Sequence, residues 1–220
     1  MSQNQTSSPG MKMNEFSVAL GLLDYINPIF YAVTSMILIH NMKTMSPMHF
    51  MMLCAGIGIS LIGGFIIPTG KLLVGLGRMK FRMPVSIVFF VNSGILLTGL
   101  ALFSHIAHLE KATLFMMIAA VAAFLLVVIL ATHKVNTAAV LCGAGGYLLI
   151  YISLIMTALS VHMNIPVYLY LMAIGLFVFL CYIGIKANLY DARIHWVIEI
   201  CNVMCQGLVA LATFVLFRFM

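Results

Sequence analysis

Between about residue 16 and residue 220 the chain is a succession of apolar runs, divided by short polar breaks. A helix that crosses a bilayer needs roughly 20 apolar residues. On that measure the pattern predicts seven spans, over residues 17–39, 47–68, 84–106, 112–132, 137–160, 165–186 and 195–217. The expected fold class is all-α, a polytopic transmembrane helix bundle. Several breaks carry helix-start signals. Ser46 precedes Pro47, a capping side chain followed by proline at the first helical position. Pro84 and Pro166 open two further runs in the same way, and the polar stretch 188–193 divides the last two. The stretch 63–76, GGFIIPTGKLLVGL, reads either as a loop or as a short interfacial helix.

Composition turns this pattern into a statement about solvent. Hydrophobic residues make up 64% of the chain and charged residues 7%. A soluble domain of this size cannot hide so much apolar surface from water. Lipid is the expected surroundings, and in lipid every backbone polar group must be satisfied internally, which favours helices. Residues 17–220 read as a single transmembrane domain. Residues 1–16 read as a disordered polar tail, opening MSQNQTSSPG. No basic region precedes a short apolar core there, so a cleaved signal peptide is not expected.

Charge changes the picture only by setting orientation. The formal net charge of +6 comes from eleven Lys and Arg against five Asp and Glu. Placed on the expected loops, Lys12, Lys71, Arg78, Lys80, Arg82, Lys134, Lys186 and Arg193 fall on one side. Lys43, Lys111 and Arg218 fall on the other. Basic loops stay in the cytoplasm. The N-terminus is therefore expected inside and the C-terminus outside, in a cell (inner) membrane. The loop Lys71–Arg82 is expected to fix this topology and to touch anionic headgroups.

Two small-residue seams stand out. Gly56, Ser60 and Gly64 recur every four residues in the second span, and Ala138, Cys142 and Gly146 do so in the fifth. Lipid tails are as apolar as leucine, so helices in membranes associate by close packing, which small residues permit. The seams serve packing within the bundle, or an oligomer contact or backbone approach to a substrate.

Two polar stripes are the candidate functional residues. An ionisable residue at the centre of a span costs about 2.5–3.5 kcal/mol on insertion scales. Asp24 lies well inside the first span, with Asn27 three and Tyr31 seven residues further on, all on one helical face. Pro28 lies in this stripe and leaves the carbonyl of Asp24 without its helical donor. Glu199, Asn202 and Gln206 repeat the spacing in the last span. These two spans run in the same direction, which puts the carboxylates at similar depth. If the helices are neighbours, the stripes line one acidic, amide-rich space. The alternative is a polar clasp between helices, with Glu199 paired to Arg193 or Lys186. Asn92, near the middle of the third span, adds a further polar position, as a pathway residue or as a hydrogen bond between helices.

Other chemistries find little support. The seven histidines lie at span ends or in loops, and His105 and His108 are the nearest to a ligand pair. No CxxC, HExxH or GxSxG motif occurs, and the eighteen methionines are scattered. No cofactor, metal, catalytic group or nucleic-acid partner is expected. The leading expectation is a small transporter or channel-like protein whose pathway is lined by Asp24, Asn27, Tyr31, Asn92, Glu199, Asn202 and Gln206. A non-catalytic subunit of a larger membrane complex comes second and a membrane-embedded enzyme third. The expected partners are the lipid bilayer and a second copy or other membrane subunits.

Overall fold

The protein is described here from a computed structural model, which describes residues 17–78, 85–109, 111–132, 135–186 and 192–220. The tail expected over residues 1–16 lies outside them, as do Lys80, Arg82 and Lys134. The chain is an all-α membrane bundle of about seven spans, a multi-pass integral membrane protein. Six spans meet the length and apolarity of a crossing, and a seventh helix carries a shorter apolar stretch, Thr113–Leu126.

The first span is two helices. α1 (Val18–Asp24) starts at Ser17, whose hydroxyl accepts from the Leu20 amide at 3.2 Å. The regular hydrogen-bond ladder breaks at Tyr25, whose backbone stays helical at φ −66° and ψ −23°, and resumes in α2 (Ile26–Asn41). Pro28 explains the break. A proline inside a continuous helix removes one backbone bond and clashes with the preceding turn. Pro28 falls in the first turn of α2, where its missing N–H leaves only the Asp24 carbonyl, four residues back, without a helical donor.

α3 (Pro47–Gly75) follows its expected start, with the Ser46 hydroxyl accepting from the His49 amide at 3.4 Å. Its end is a correction to the sequence reading. The stretch 63–76 is neither loop nor interfacial helix; it continues α3 straight through Pro68. The terminator is Gly77, at φ +67°, where glycine alone takes the left-handed conformation without strain. Its amide donates to Val74 O at 2.9 Å and the Arg78 amide to Leu73 O at 3.0 Å, closing off the last turn. Lys71 is thus not a loop residue but lies about 6 Å before the end of a 29-residue helix.

The remaining spans are α4 (Val85–Ile106), α5 (Lys111–Thr132), α6 (Val135–Ser160), α7 (Asn164–Lys186) and α8 (Ala192–Phe219). Six spans pack in a closed ring, in the order α1/α2, α3, α4, α6, α7, α8 and back to α2. α5 stands outside that ring, against α6 and the edge of α4. Its sequence fits that place, because it is apolar on every side and exposes Phe115, Met116, Phe124, Leu126 and Leu130.

Glycine and other small residues set the closest helix contacts. A Cβ on Gly56 would stand 2.7 Å from Gly94 O, so α3 and α4 touch backbone to backbone there. Ser60 lies in the same contact, its hydroxyl donating to Gly56 O at 2.9 Å and Val91 O at 3.3 Å. The third place in the seam belongs to Gly63, which faces Val91. Gly64 turns instead towards Pro28, at an ordinary 3.5 Å, because a helix advances 100° per residue and the contact with α4 slips by one position. In α6, Ala138, Ala139 and Cys142 are fully buried, and a Cβ on Gly99 of α4 would stand 2.6 Å from Gly146 O.

Candidate functional site

Where the first span, α3 and α8 meet, four side chains from three distant parts of the chain form one polar cluster. The Lys71 ammonium lies 2.8 Å from Asp24 Oδ2 and 2.6 Å from Glu199 Oε1. The Asn27 amide nitrogen donates to Asp24 Oδ1 at 3.3 Å and to Glu199 Oε2 at 3.2 Å. Side-chain exposure is 16% for Lys71, 9% for Asp24 and 6% for Glu199, so the three charges are largely removed from solvent. Each reaches the cluster from a different helix. Asp24 ends α1, and Asn27 follows it across the break at Tyr25. Glu199 lies seven residues into α8, about 10 Å along its axis. Lys71 approaches from the far end of α3, which runs the opposite way. A hydroxyl pair, Tyr25 Oη to Thr69 Oγ1 at 2.6 Å, ties the break in the first span to α3 just beside it.

The charges make the arrangement unusual. Two carboxylates face one ammonium, so the ionised cluster carries one surplus negative charge. Burying an ion pair costs several kcal/mol per ion before its attraction is counted, and a surplus charge adds to that cost. Neighbouring polar groups offset it. Asn27 satisfies one oxygen of each carboxylate and leaves its own carbonyl oxygen, Oδ1, buried and without a partner. The orientation of the amide follows from its neighbours, since both partners are acceptors and only the NH₂ end can face them.

Beside the cluster lies a cavity of about 130 Å³. Asp24, Asn27 and Tyr31 border it from the first span, Ser60 and Gly64 from α3, and Asn202 and Gln206 from α8. Val91 and Ile95 of α4 and Tyr147 of α6 close the other wall. Pro28 and Pro68 each lack the N–H that would bond the carbonyl four residues back, on Asp24 and Gly64, and both of those residues line the cavity. Further from the charges, Tyr31, Tyr147 and Gln206 also border a much smaller void of about 10 Å³, barely room for one water. There the Tyr31 hydroxyl meets Thr98 Oγ1 at 3.4 Å, and Leu38, Ile150 and Val209 make the walls apolar.

The two stripes expected from the sequence therefore meet: Asp24, Asn27, Tyr31, Glu199, Asn202 and Gln206 belong to one connected region. Asn92 does not. Its amide donates to Ala139 O at 2.8 Å, and it lies against Gly143 in the contact between α4 and α6. As a pathway residue Asn92 is a correction: it bonds one helix to the next and does not border the cavity. Glu199 is paired with Lys71, whereas the sequence pointed to Arg193 or Lys186, whose side chains lie outside the described residues. Lys71 is the residue the sequence reading missed. The signal was present in the apolar run that continues past Pro68 as far as Gly77, a better stop signal than the proline. Tyr147 was also missed, since an isolated tyrosine in an apolar run gives no indication of which way it faces.

At the opposite end of α3 and α4, the His49 and His105 rings stand 6.5 Å apart, and His49 Nδ1 is hydrogen-bonded to Ser46 Oγ. His108, three residues after His105, lies beyond the helix at φ 52°. Among the described residues no three His, Cys, Asp or Glu side chains come together as metal ligands would.

Comparison with known proteins gives no relative to reason from: no family model, no curated protein and no solved structure matches the chain.

Proposed function

We propose that this protein is a small secondary transporter of the cell membrane, without enzymatic activity, that moves a polar or charged solute through the cavity beside Asp24, Lys71 and Glu199. The observation that carries this reading is one ammonium shared between two buried carboxylates at the edge of an intramembrane cavity. A clasp between helices is built more cheaply from neutral hydrogen bonds, as Asn92 and Ser60 show in this same bundle. Three charges and a void are costly inside a membrane, and such residues mark ion and solute pathways. The surplus negative charge gives the cluster a reason to take up a proton or a cation and to release it again.

The cavity gives onto the charged cluster at one end, and the apolar side chains of Leu38, Ile150 and Val209 narrow the path beyond Tyr31. Alternating access would require that narrow region to open as the region around the cluster closes.

The test is flux in proteoliposomes with a pH-sensitive dye inside, across a panel of small cationic, neutral and anionic solutes. Asp24→Asn keeps an acceptor for Asn27 and leaves the cluster neutral. It should purify as a single species and carry no solute-coupled proton flux. Wild-type rates in Asp24→Asn would reduce the cluster to a structural clasp.

A further inference from the structure

We propose that the cavity takes a small primary ammonium ion, with the charged end against Asp24 and Asn27 and an apolar body against Ile67, Val91 and Ile95, all of which line it. This rests on the transporter reading of the same cavity and names its solute class.

Three observations lead there. The first is Lys71 itself. Its side chain is a primary alkylammonium, and both carboxylates hold it at 2.6 and 2.8 Å. The carboxylates thus already accept the ligand chemistry proposed, in tethered form. The second is the Asn27 carbonyl oxygen. It is buried and has no partner, and the residue that carries it lines the cavity and is only 8% exposed. A carbonyl oxygen only accepts, so it calls for an N–H or O–H donor. The third is volume and wall chemistry. A cavity of about 150 Å³ holds benzene, and this one is about 130 Å³. That admits a solute of about five to seven non-hydrogen atoms.

Other solute classes fit less well. An anion would meet two carboxylates, and the one cation present is already bound to both. A neutral solute would leave the surplus negative charge in place. A bare alkali ion would neutralise it but would leave most of the volume empty, along with the apolar wall of Ile67, Val91 and Ile95. A primary ammonium neutralises the charge, donates to Asn27 Oδ1 and covers the apolar wall. Charge balance then sets the transport cycle. The solute enters as a cation and the cluster becomes neutral. For the empty site to return without a net charge, one carboxylate takes a proton, which leaves when the next ammonium binds. The outcome is exchange of one proton for one ammonium.

The experiment uses the full chain in lipid nanodiscs at constant ionic strength. Three probes of equal size are compared: n-butylammonium, tetramethylammonium and 1-butanol. n-Butylammonium at about ten times its Kd should raise Tm by about 3–6 °C. Tetramethylammonium has the charge but no N–H, and 1-butanol has a donor but no charge; neither should shift Tm, and nor should sodium. The n-butylammonium shift should vanish in Asp24→Asn. Should that variant fail to fold, Ile95→Phe, which fills the cavity without altering charge, should remove it instead. Equal shifts from tetramethylammonium or sodium, or no shift from n-butylammonium, would overturn the proposal. Uptake of labelled n-butylammonium into proteoliposomes separates the two readings. Binding without uptake leaves the ammonium site standing and removes the transporter. Uptake of sodium, neutral or anionic solutes with none of n-butylammonium keeps the transporter and removes the ammonium site.

Discussion

Lys71 and Glu199 are 128 residues apart in the chain, yet the lysine ammonium lies 2.6 Å from Glu199 Oε1. The contact joins the last turns of α3 to the second turn of α8, and Asp24 at the end of α1 completes it. Three spans of the ring are thereby held together at a single charged point beside the cavity.

Removing one partner of a buried ion pair leaves the others uncompensated, at a cost of about 3–5 kcal/mol. Lys71→Met keeps the aliphatic stem and removes the charge, leaving two carboxylates face to face. It is expected to lose stability on that scale in detergent unfolding. The triple variant Asp24→Asn, Lys71→Met, Glu199→Gln has no charge to leave unpaired and should recover most of the loss, while carrying no solute. A Lys71→Met protein as stable as wild type would mean that the three charges are not held together in the membrane.

Gly145 and Gly146 are adjacent in α6 but differ in what they face. A Cβ on Gly146 would press into the backbone of Ile95 and Leu96, whereas one on Gly145 would meet only Leu96 Cδ1, at 3.8 Å. Gly146→Val should cost about 1–3 kcal/mol through overpacking. Gly145→Ala should be close to neutral. Comparable thermal shifts for both would rule out the glycine-mediated contact between α4 and α6.

Asn27 and Asn92 separate site from scaffold. Asn27→Leu removes hydrogen bonds to two charged groups, each worth about 1.5–3 kcal/mol, and should abolish flux. Asn92→Ala removes one bond to a carbonyl that remains inside its own helix, so the loss should be about 0.5–1.5 kcal/mol. Flux per folded molecule should be unchanged in Asn92→Ala. A severe transport defect there would return Asn92 to the pathway.

With Lys71 taken into the cluster, seven basic residues remain on the N-terminal side, against Lys43, Lys111 and Arg218 on the other. On that asymmetry the N-terminus is expected in the cytoplasm. A reporter that matures only in the cytoplasm should be dark when fused after Met220 and bright when inserted at Arg78. The opposite pattern would reverse the orientation.

The sequence by itself determined the number of spans, their helical nature and the faces that carry polar groups. These follow from local rules: the bilayer sets helix length, lipid excludes unpaired backbone groups, and a 3.6-residue period puts Asp24, Asn27 and Tyr31 in one line. Even the break at Tyr25 is implicit in Pro28. Only the tertiary structure decided which stripes meet. Nearly every span is apolar enough to pack against any other, so composition does not reveal that α2 lies beside α8 or that α5 stands outside the ring. It also did not reveal that α3 passes Pro68, which depends on the stop at Gly77 and on packing that tolerates a missing backbone bond. Because of that extension, Lys71 lies within α3 and meets Asp24 and Glu199. The lone charge was readable as a loop residue until the two carboxylates that hold it were placed on either side.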